Sequence, residues 1–328
     1  MSTVLTTGVS PGGIGAATAK AIASCQPAML ILASRTEAKL TIVSDGIRKD
    51  NPGVDVRQLI LDLSSIESIR AAAATIDLFT THIDVLINNA GASMMTRQPV
   101  KTPGGTVVDL QFFTNHLGPF LFTALLLSKL VAAGTTKPSG ARIINLTSHG
   151  HRLSPVRFSD YAFLKDTYDG VPEAEVPART MPPTFRKEID GYPGFIAYGQ
   201  SKSANVLHAR ELARRLHAAK TNVLAFSVHP GTIETELSRE LDQEGLDGIA
   251  KTSQGFWKTL DQGAATTIVA AFDPLLAKTV DVPGGKTVGY FSDCQLMDDF
   301  PAPWTRGWPN AKQLWDESER MLGVSARL

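Results

Sequence analysis

The chain has 328 residues, of which 43% are hydrophobic and 20% are charged, a composition typical of a globular protein with one large domain or two smaller ones. Its 32 basic residues equal its 32 acidic residues, which excludes the basic excess of a nucleic-acid binder. Two cysteines and seven scattered histidines exclude a disulfide framework and predict no metal site, and we expect a reducing, cytoplasmic location.

Strand-like and helix-like segments alternate along the chain from its first residues. The strand-like runs are continuously apolar, which is typical of parallel strands covered on both faces. The alternation predicts an α/β fold: a doubly wound, Rossmann-type parallel sheet with helices on both faces, in a single domain over residues 1–328. The predicted strands are 3–7, 29–33, 54–61, 84–87, 141–147 and 222–228, and the predicted helices are 16–24, 37–50, 65–81, 107–133 and 198–219.

The most membrane-like run, 117–133, predicts a buried helix rather than a membrane span. It contains Pro119 and Lys129, and it is shorter than the ~20 apolar residues that cross a bilayer. A strand-like run begins directly at Thr3, so we expect no signal peptide.

A glycine-rich loop between the first strand and the first helix predicts a phosphate site. Gly8, Gly13 and Gly15 stand at this turn, where amides at a helix N-terminus can face an anion with no side chain in the way. The pyrophosphate of a dinucleotide is the ligand that this position favours, and a plain tight turn is the structural alternative.

The end of the second predicted strand indicates which dinucleotide binds. An NAD site usually has an acid there to bind the ribose diol, whereas this chain has Ser34, Arg35 and Thr36. A guanidinium between two hydroxyls suits the 2′-phosphate of NADP(H). An exposed basic loop residue is the alternative, and the position of Arg35 favours NADP(H) as the cofactor.

Tyr198 and Lys202 stand four residues apart at the head of the predicted helix 198–219. At about 100° per residue they share one helix face. We expect the ammonium to lower the pKa of the phenol from its ordinary value near 10, which suits acid–base chemistry near neutral pH. A solvated surface pair is the alternative when these two residues are considered alone.

Seven motifs in this order resemble those of the short-chain dehydrogenase/reductase family, most closely its retinol-dehydrogenase-like and fungal ketoreductase members. The resemblance covers nearly the whole chain, and each motif stands at a predicted strand end or on a predicted helix. The motifs are Thr7-Gly8…Gly13-Ile14-Gly15, Leu61-Asp62-Leu63, Asn88-Asn89-Ala90-Gly91, Asn115-His116-Leu117-Gly118, Asn145-Leu146-Thr147-Ser148, Tyr198…Lys202 and His229-Pro230-Gly231-Thr232.

The resemblance implies four catalytic residues. Ser148 would hold the substrate oxygen and Tyr198 would pass it a proton. Lys202 would bind the nicotinamide ribose and tune Tyr198, and Asn115 would hold a water behind Lys202. Two donors make chemical sense at this oxygen, because hydride transfer turns a carbonyl oxygen into an alkoxide. The implied cofactor-binding residues are Gly8, Ser10, Gly13, Ile14, Arg35, Asp62, Leu63, Asn89, Ala90, Gly91, Tyr198, Lys202, Pro230, Gly231, Ile233 and Thr235.

Two features depart from the family pattern. Four residues, rather than three, separate Gly8 from Gly13 in the phosphate loop. Ser148 and Tyr198 are 198 − 148 = 50 residues apart, so residues 151–196 form an insertion on the substrate side.

The insertion is rich in aromatic residues, which predicts an apolar wall over the nicotinamide. The alternative is that these side chains only pin the insertion to the body of the protein. Residues 236–328 are expected to form a C-terminal segment on the substrate side. They would join the wall through Phe256, Trp257, Phe300 and Trp304.

The sequence therefore predicts an NADP(H)-dependent oxidoreductase that interconverts a carbonyl and a primary or secondary alcohol on a bulky, hydrophobic small molecule, as a ketoreductase does. The alternative is a non-catalytic NADP sensor or scaffold on the same fold. A sensor has no need of the proton-transfer residues, which favours the enzyme. We expect no nucleic-acid partner, and both a monomer and a homo-oligomer remain open.

Overall fold

The computed structural model of the chain describes residues 2–276 and 289–326, so part of the predicted segment 236–328 lies outside the described residues. Its strands, in chain order, are β1 (Thr3–Thr7), β2 (Met29–Ser34), β3 (Asp55–Ile60), β4 (Val85–Asn88), β5 (Pro99–Lys101), β6 (Val107–Asp109), β7 (Ala141–Leu146), β8 (Val223–His229), β9 (Tyr290–Ser292) and β10 (Gln295–Leu296). Eight of these form one sheet in the order β10-β9-β8-β7-β4-β1-β2-β3. Only the β9–β10 pair is antiparallel in this sheet.

Helices cover both faces of the sheet, which confirms the doubly wound architecture predicted from the sequence. One layer contains α1, α2 and α7, and the opposite layer contains α3, α4, α5 and α9. The helices are α1 (Ile14–Ser24), α2 (Glu37–Asp50), α3 (Ile66–Phe79), α4 (Leu110–Thr136), α5 (Gly194–Ala218), α6 (Gln243–Thr252), α7 (Leu260–Phe272), α8 (Pro303–Arg306) and α9 (Trp308–Leu322).

The central strands are apolar on both sides because each face packs against a helical layer. In β1, Leu5 belongs to the core under α4, whereas its neighbour Val4 belongs to the core under α1. Both side chains are fully buried. Successive side chains of a strand point to opposite faces, so a strand covered on both faces has no polar alternation.

The parallel register brings the carboxyl ends of five strands to one edge of the sheet. Thr7, Ser34, Asn88, Leu146 and His229 end β1, β2, β4, β7 and β8. This edge is where ligands bind in open parallel sheets, and four of the seven predicted motifs stand at the ends of β1, β4, β7 and β8.

The structure differs from the sequence prediction before α4. Residues 107–109, predicted as helix, form strand β6, which pairs with β5 in a hairpin. The helix begins only at Leu110, because Asp109 caps its first turn by accepting a hydrogen bond of 3.0 Å from the Gln111 amide. The β-branched pair Val107-Val108 suits the strand.

Residues 151–193 of the predicted insertion 151–196 consist of turns and short 3₁₀ segments that are fixed by buried polar contacts, and residues 194–196 already belong to α5. Arg157 is fully buried, and it donates to the carbonyls of Lys165 and Asp166 and pairs with Asp160 at 3.3 Å. The Arg157 amide donates to Gln200 Oε1 at 2.9 Å. The insertion is therefore anchored to α5, on the turn that carries the predicted catalytic pair.

The C-terminal helix α9 packs against α4 and α5. The Trp315 ring lies 4.9 Å from that of Phe120 and 5.9 Å from that of His208. His116 forms a hydrogen bond of 2.8 Å with Ser318. This contact adds α9 to the core cluster that contains α4 and α5.

Among the described residues, α4 is the one helix long and apolar enough to span a membrane. Within its most apolar window, 67% of the residues are buried in the protein. A core helix meets the same criteria of length and composition.

Candidate active site

One cavity of about 520 Å³ runs along the carboxyl edge of the sheet. Loops after the central strands supply polar groups at one end, and the insertion supplies apolar groups at the other. Among the predicted site residues, only Asn115 does not line it. The predicted residues in its wall are Gly8, Ser10, Gly13, Ile14, Arg35, Asp62, Leu63, Asn89, Ala90, Gly91, Ser148, Tyr198, Lys202, Pro230, Gly231, Ile233 and Thr235.

Tyr198, Lys202 and Ser148 converge in the wall of this cavity. Helix α5 places Tyr198 and Lys202 one turn apart, with Lys202 Nζ 5.5 Å from the centroid of the phenol ring. Ser148 follows β7, and its side chain forms a hydrogen bond with that of Tyr198. Ser148 Oγ also accepts a hydrogen bond of 3.1 Å from the Gly150 amide. Two hydroxyls and an ammonium thus share one small volume.

Burial dominates the acidity of the phenol. It raises the pKa of Tyr198 to about 12, and the hydrogen bond with Ser148 opposes this rise only in part. Burial also lowers the pKa of Lys202 to about 8. The expectation of a lowered Tyr198 pKa is therefore wrong for this structure, because burial disfavours the phenolate and the Ser148 hydrogen bond lowers the pKa only in part.

Asn115 lies behind the catalytic pair, in a π-helical stretch of α4 over Phe113–Leu117. Its Oδ1 accepts from the Ala92 amide at 2.7 Å, and its Nδ2 donates to the Ala92 carbonyl at 2.8 Å and to Ser201 Oγ at 2.9 Å. Asn115 therefore ties the loop after β4 to α5, one residue before Lys202. A π-helical turn is a frequent feature of functional sites.

The glycine loop after β1 is fixed by the end of β4. Asn89 Nδ2 donates to the Thr7 carbonyl at 2.8 Å, and the Asn89 and Ala90 amides donate to Thr7 Oγ1. Gly8 has φ +71°, and a Cβ there would lie 2.6 Å from Ala90 Cα, so this position requires glycine. The extra residue of the loop is accommodated in an exposed turn closed by a hydrogen bond from the Gly13 amide to the Ser10 carbonyl.

Two helix N-termini at the cavity lack a side-chain cap. Gly13 precedes α1 and has no side chain to cap it, and Thr36 precedes α2 without a capping hydrogen bond from its side chain. By contrast, Ser65 caps α3 and Thr259 caps α7. Uncapped amides at a helix N-terminus remain available to an anion.

The end of the cavity beside the start of α2 combines cations with a held carboxylate. Arg35 and Lys39 line it beside the start of α2. Asp62 also lines it, and its Oδ1 accepts from the amide and the hydroxyl of Ser64 at 2.9 and 2.6 Å. These bonds fix the carboxylate beside the loop after β3.

The segment after β8 closes the cavity on its other side. Pro230, Gly231, Ile233 and Thr235 all line it. Thr235 caps the short 3₁₀ turn Glu236–Ser238 by accepting from the Leu237 amide at 3.3 Å. The segment then continues into α6, which packs over the insertion.

Comparison with known proteins identifies the family. Residues 2–170 match the family described as short chain dehydrogenase. The chain belongs to the short-chain dehydrogenase family. It is 32% identical over 322 residues to short-chain dehydrogenase TIC 32 A, chloroplastic, of Brassica napus, covering 98% of this chain and 88% of that protein. It is 33% identical over 321 residues to retinol dehydrogenase 12 of Mus musculus, covering 98% and 86%.

Solved structures share the fold. A crystal structure of an uncharacterised protein from Mycobacterium paratuberculosis superposes with a TM-score of 0.64 at 27% identity, covering 100% of this chain and 96% of that one. A short-chain dehydrogenase from Sphingobium yanoikuyae, solved with NADPH, superposes with a TM-score of 0.56 at 20% identity, covering 82% and 84%. The retinol-dehydrogenase resemblance seen in the sequence is confirmed, and the family is one of oxidoreductases.

In this short-chain dehydrogenase, the insertion and α6 build an apolar end of the cavity beyond Ser148 and Tyr198. The rings of Phe185 and Phe195 pack edge to face with centroids 5.1 Å apart. Lys187 joins the insertion to α6 through ion pairs with Asp242 at 2.5 Å and Glu244 at 3.4 Å. The apolar side chains that line this end are Leu153, Met181, Phe185, Phe195, Leu237, Leu241, Ile249 and Trp257.

Only some of the aromatic residues predicted to form the wall line the cavity, and the prediction is wrong for Phe256, which is 61% exposed and outside the lining. Phe185, Phe195 and Trp257 line the cavity. Phe300 and Trp304 instead hold the turn after Ser148 from outside: Arg152 lies over the Phe300 ring at 5.0 Å, and Trp304 Nε1 donates to the His151 carbonyl at 3.1 Å. Both alternatives thus occur, because some rings line the cavity and others pin segments to the body.

Two structural residues of the site were not predicted. A Cβ at Gly150 would lie 3.0 Å from two ring carbons of Tyr198, and a Cβ at Gly199 would lie 2.7 Å from the Gly150 carbonyl oxygen. These glycines let the turn after Ser148 pack directly on the start of α5. In the sequence, only their positions near Ser148 and Tyr198 suggest a role in the site. These positions do not reveal that the turn after Ser148 packs closely against α5.

His149 and His229 line the cavity beside Ser148, with ring centroids 5.9 Å apart. Burial lowers the pKa of both imidazoles, to about 3 in His229. Both rings are therefore neutral near pH 7. No group of metal-ligating side chains occurs within the described residues.

Proposed function

We propose that this short-chain dehydrogenase is an NADP(H)-dependent carbonyl reductase that acts on a bulky, hydrophobic ketone or aldehyde. The observation that carries the proposal is the position of Ser148, Tyr198 and Lys202. They stand where a polar groove along the strand ends meets an apolar pocket built by the insertion. A cofactor on one side and an apolar substrate on the other would meet at these three residues.

The residues present fit a nicotinamide dinucleotide phosphate. The uncapped start of α1 and the glycine loop would hold the pyrophosphate, and the Arg35 guanidinium would hold the 2′-phosphate. Lys202 lies beside Gly91 and would bind the nicotinamide ribose. When bound, the reduced nicotinamide supplies a hydride to the carbonyl carbon.

Tyr198 has the acidity of a proton donor rather than of a base. Its raised pKa, about 12, keeps the phenol protonated at neutral pH. In reduction, negative charge develops on the carbonyl oxygen while Ser148 and Tyr198 each direct a hydroxyl at it. The Tyr198 proton then passes to that oxygen to give the alcohol. Ser148 and Tyr198 thus provide the two hydroxyl donors that reduction requires at the substrate oxygen.

The apolar end of the cavity supports a hydrophobic substrate. Met181, Phe185, Phe195 and Trp257 present carbon surface, and burial of apolar area yields about 25 cal/mol per Å². Relatives named retinol dehydrogenase carry the name of a hydrophobic alcohol, which agrees with this class of substrate.

The test is NADPH oxidation with a panel of aromatic ketones, aldehydes and quinones, using wild type and Tyr198→Phe. We expect turnover by the wild type and a loss of at least about 10³-fold in kcat for the variant, because proton donation and oxyanion stabilisation are both removed. NADPH binding, followed by fluorescence titration, should remain within about twofold, since the phenyl ring is retained.

Tyr168→Phe, in the insertion and outside the cavity wall, is the matched control and should keep full activity. Substantial reduction by folded Tyr198→Phe contradicts the mechanism. Tight NADPH binding without turnover of any panel member would favour a sensor instead.

A further inference from the structure

An ion pair spans the end of the cavity beside the start of α2, where Arg35 also lines the wall. Lys39, in the first turn of α2, and Glu236, in the segment after β8, both line the cavity. Lys39 Nζ lies 3.5 Å from Glu236 Oε2, and the two side chains are 52% and 64% exposed. The pair thus joins two walls of the cavity. Lys39 lies four residues after Arg35 in the sequence.

We propose that Lys39 is a second ligand of the 2′-phosphate and that Glu236 competes with this phosphate for Lys39. The acid would thereby weaken NADPH binding without affecting NADH. This inference rests on the proposed function, since it assumes that NADP(H) occupies the cavity with its 2′-phosphate near Arg35.

The chemistry of the three side chains supports competition. A phosphate monoester carries a charge of about −1.5 to −2 at neutral pH, so it attracts an ammonium more strongly than one carboxylate does. Lys39 has a flexible stem that can turn from Glu236 to a nearby phosphate, whereas Arg35 offers a fixed fork. An exposed pair such as Lys39–Glu236 is weak, so a bound phosphate can displace it.

Among the residues that the structure describes, Lys39 is the cation that pairs with the Glu236 carboxylate. Arg239 lies three residues further on, and it donates to the Glu236 backbone carbonyl at 3.2 Å rather than to the carboxylate. When Lys39 turns to the phosphate, the Glu236 carboxylate loses this partner and also faces a second anion. Both effects oppose NADPH, and neither acts on NADH, which has a free ribose diol.

The experiment measures NADPH and NADH dissociation constants by fluorescence titration for wild type, Glu236→Gln, Lys39→Gln and the double variant. We expect Glu236→Gln to bind NADPH about three- to fivefold more tightly, the range set by an exposed ion pair. Lys39→Gln should bind NADPH about tenfold more weakly, as expected for the loss of one charge-assisted contact. NADH affinity should change less than twofold in both. Lys49→Gln, at the exposed far end of α2, is the control for removal of a lysine and should change neither affinity.

The double variant decides whether Glu236 acts through Lys39. In the Lys39→Gln background, Glu236→Gln should raise NADPH affinity less than it does in wild type, because only the repulsion between the carboxylate and the phosphate remains. An undiminished gain in that background, an equal change for NADH, or no gain in Glu236→Gln alone would overturn the inference. A wild type that binds NADPH no better than NADH would overturn both the proposed cofactor and this inference. If only the inference about Glu236 fails, the wild type still binds NADPH more tightly than NADH.

Discussion

Asp109 is a buried carboxyl at the hinge between the β5–β6 hairpin and α4, and its replacement should change how stability depends on pH. The side chain is fully buried, its Oδ2 caps α4, and its Oδ1 has no hydrogen-bond partner among the described residues. Burial raises its pKa from 3.8 to about 6, against the lowering effects of the Tyr192 hydroxyl and of backbone amides.

The sign follows from proton binding. Between pH 3.8 and 6 the folded state binds more protons at Asp109 than the unfolded state, so the free energy of unfolding falls as pH rises through this window. Below pH 3.8 the carboxyl is neutral in both the folded and the unfolded state. Above pH 6 the free energy of unfolding carries the full cost of burying the carboxylate. A pKa of about 6 against 3.8 corresponds to a loss of about 2–3 kcal/mol between pH 4 and pH 7.5.

Asp109→Asn removes the charge and keeps a cap acceptor for the Gln111 amide. The new buried amide adds a fixed cost of about 1–3 kcal/mol if it finds no acceptor, but this cost does not depend on pH. We therefore expect the free energy of unfolding of the variant, relative to wild type, to increase by about 2–3 kcal/mol from pH 4 to pH 7.5.

Urea denaturation followed by tryptophan fluorescence at the two pH values measures this difference, with exposed Asp50→Asn as the control for removal of a carboxylate. A stability difference that is the same at both pH values, or that shrinks towards pH 7.5, would refute the reasoning.

Three further predictions concern the cavity. Arg35→Ala should weaken NADPH binding about 10- to 100-fold and leave NADH within twofold, because a charge-assisted contact to the 2′-phosphate is lost; equal loss of both cofactors in titration would make Arg35 structural. Gly150→Ala should lower kcat by about one to two orders of magnitude with the fold retained by circular dichroism, because the new methyl group displaces the Tyr198 ring and small misplacements are costly. Phe185→Ala should raise KM about tenfold for bulky ketones and leave small aldehydes unchanged, and better turnover of small polar aldehydes than of bulky members throughout a size series would contradict the apolar pocket.

The sequence was informative about the fold and the strand-end motifs because both depend on local patterns. Continuous apolar strands report a sheet covered on both faces. The loops after parallel strands meet at one edge whatever their sequence, so motifs at those positions converge once the sheet is parallel. Thus Gly8, Asn89 and Ser148, distant in sequence, could be assigned to one edge of the sheet without coordinates, whereas Tyr198 lies on a helix and was placed in the site by the resemblance to the family.

The apolar end of the cavity could not be predicted in the same way. Residues 151–193 form turns and short 3₁₀ segments rather than regular helices or strands. Their path depends on buried polar contacts such as those of Arg157 with Lys165 and Asp166. Composition marks the insertion as aromatic but does not tell which rings turn inwards. Phe185 lines the cavity, whereas Phe163 belongs to the same hydrophobic cluster but does not line the cavity.

The acidity of Tyr198 shows why a motif predicts proximity better than energetics. Helical spacing alone places Lys202 beside the phenol, and this part of the prediction holds at 5.5 Å. The pKa, however, also depends on how much solvent the phenolate loses on burial, and this loss depends on every element that covers the site. The insertion covers the first turn of helix α5, and burial is the larger of the two causes that set the pKa of Tyr198. The insertion that would select a hydrophobic substrate therefore also contributes to the burial that disfavours the Tyr198 phenolate.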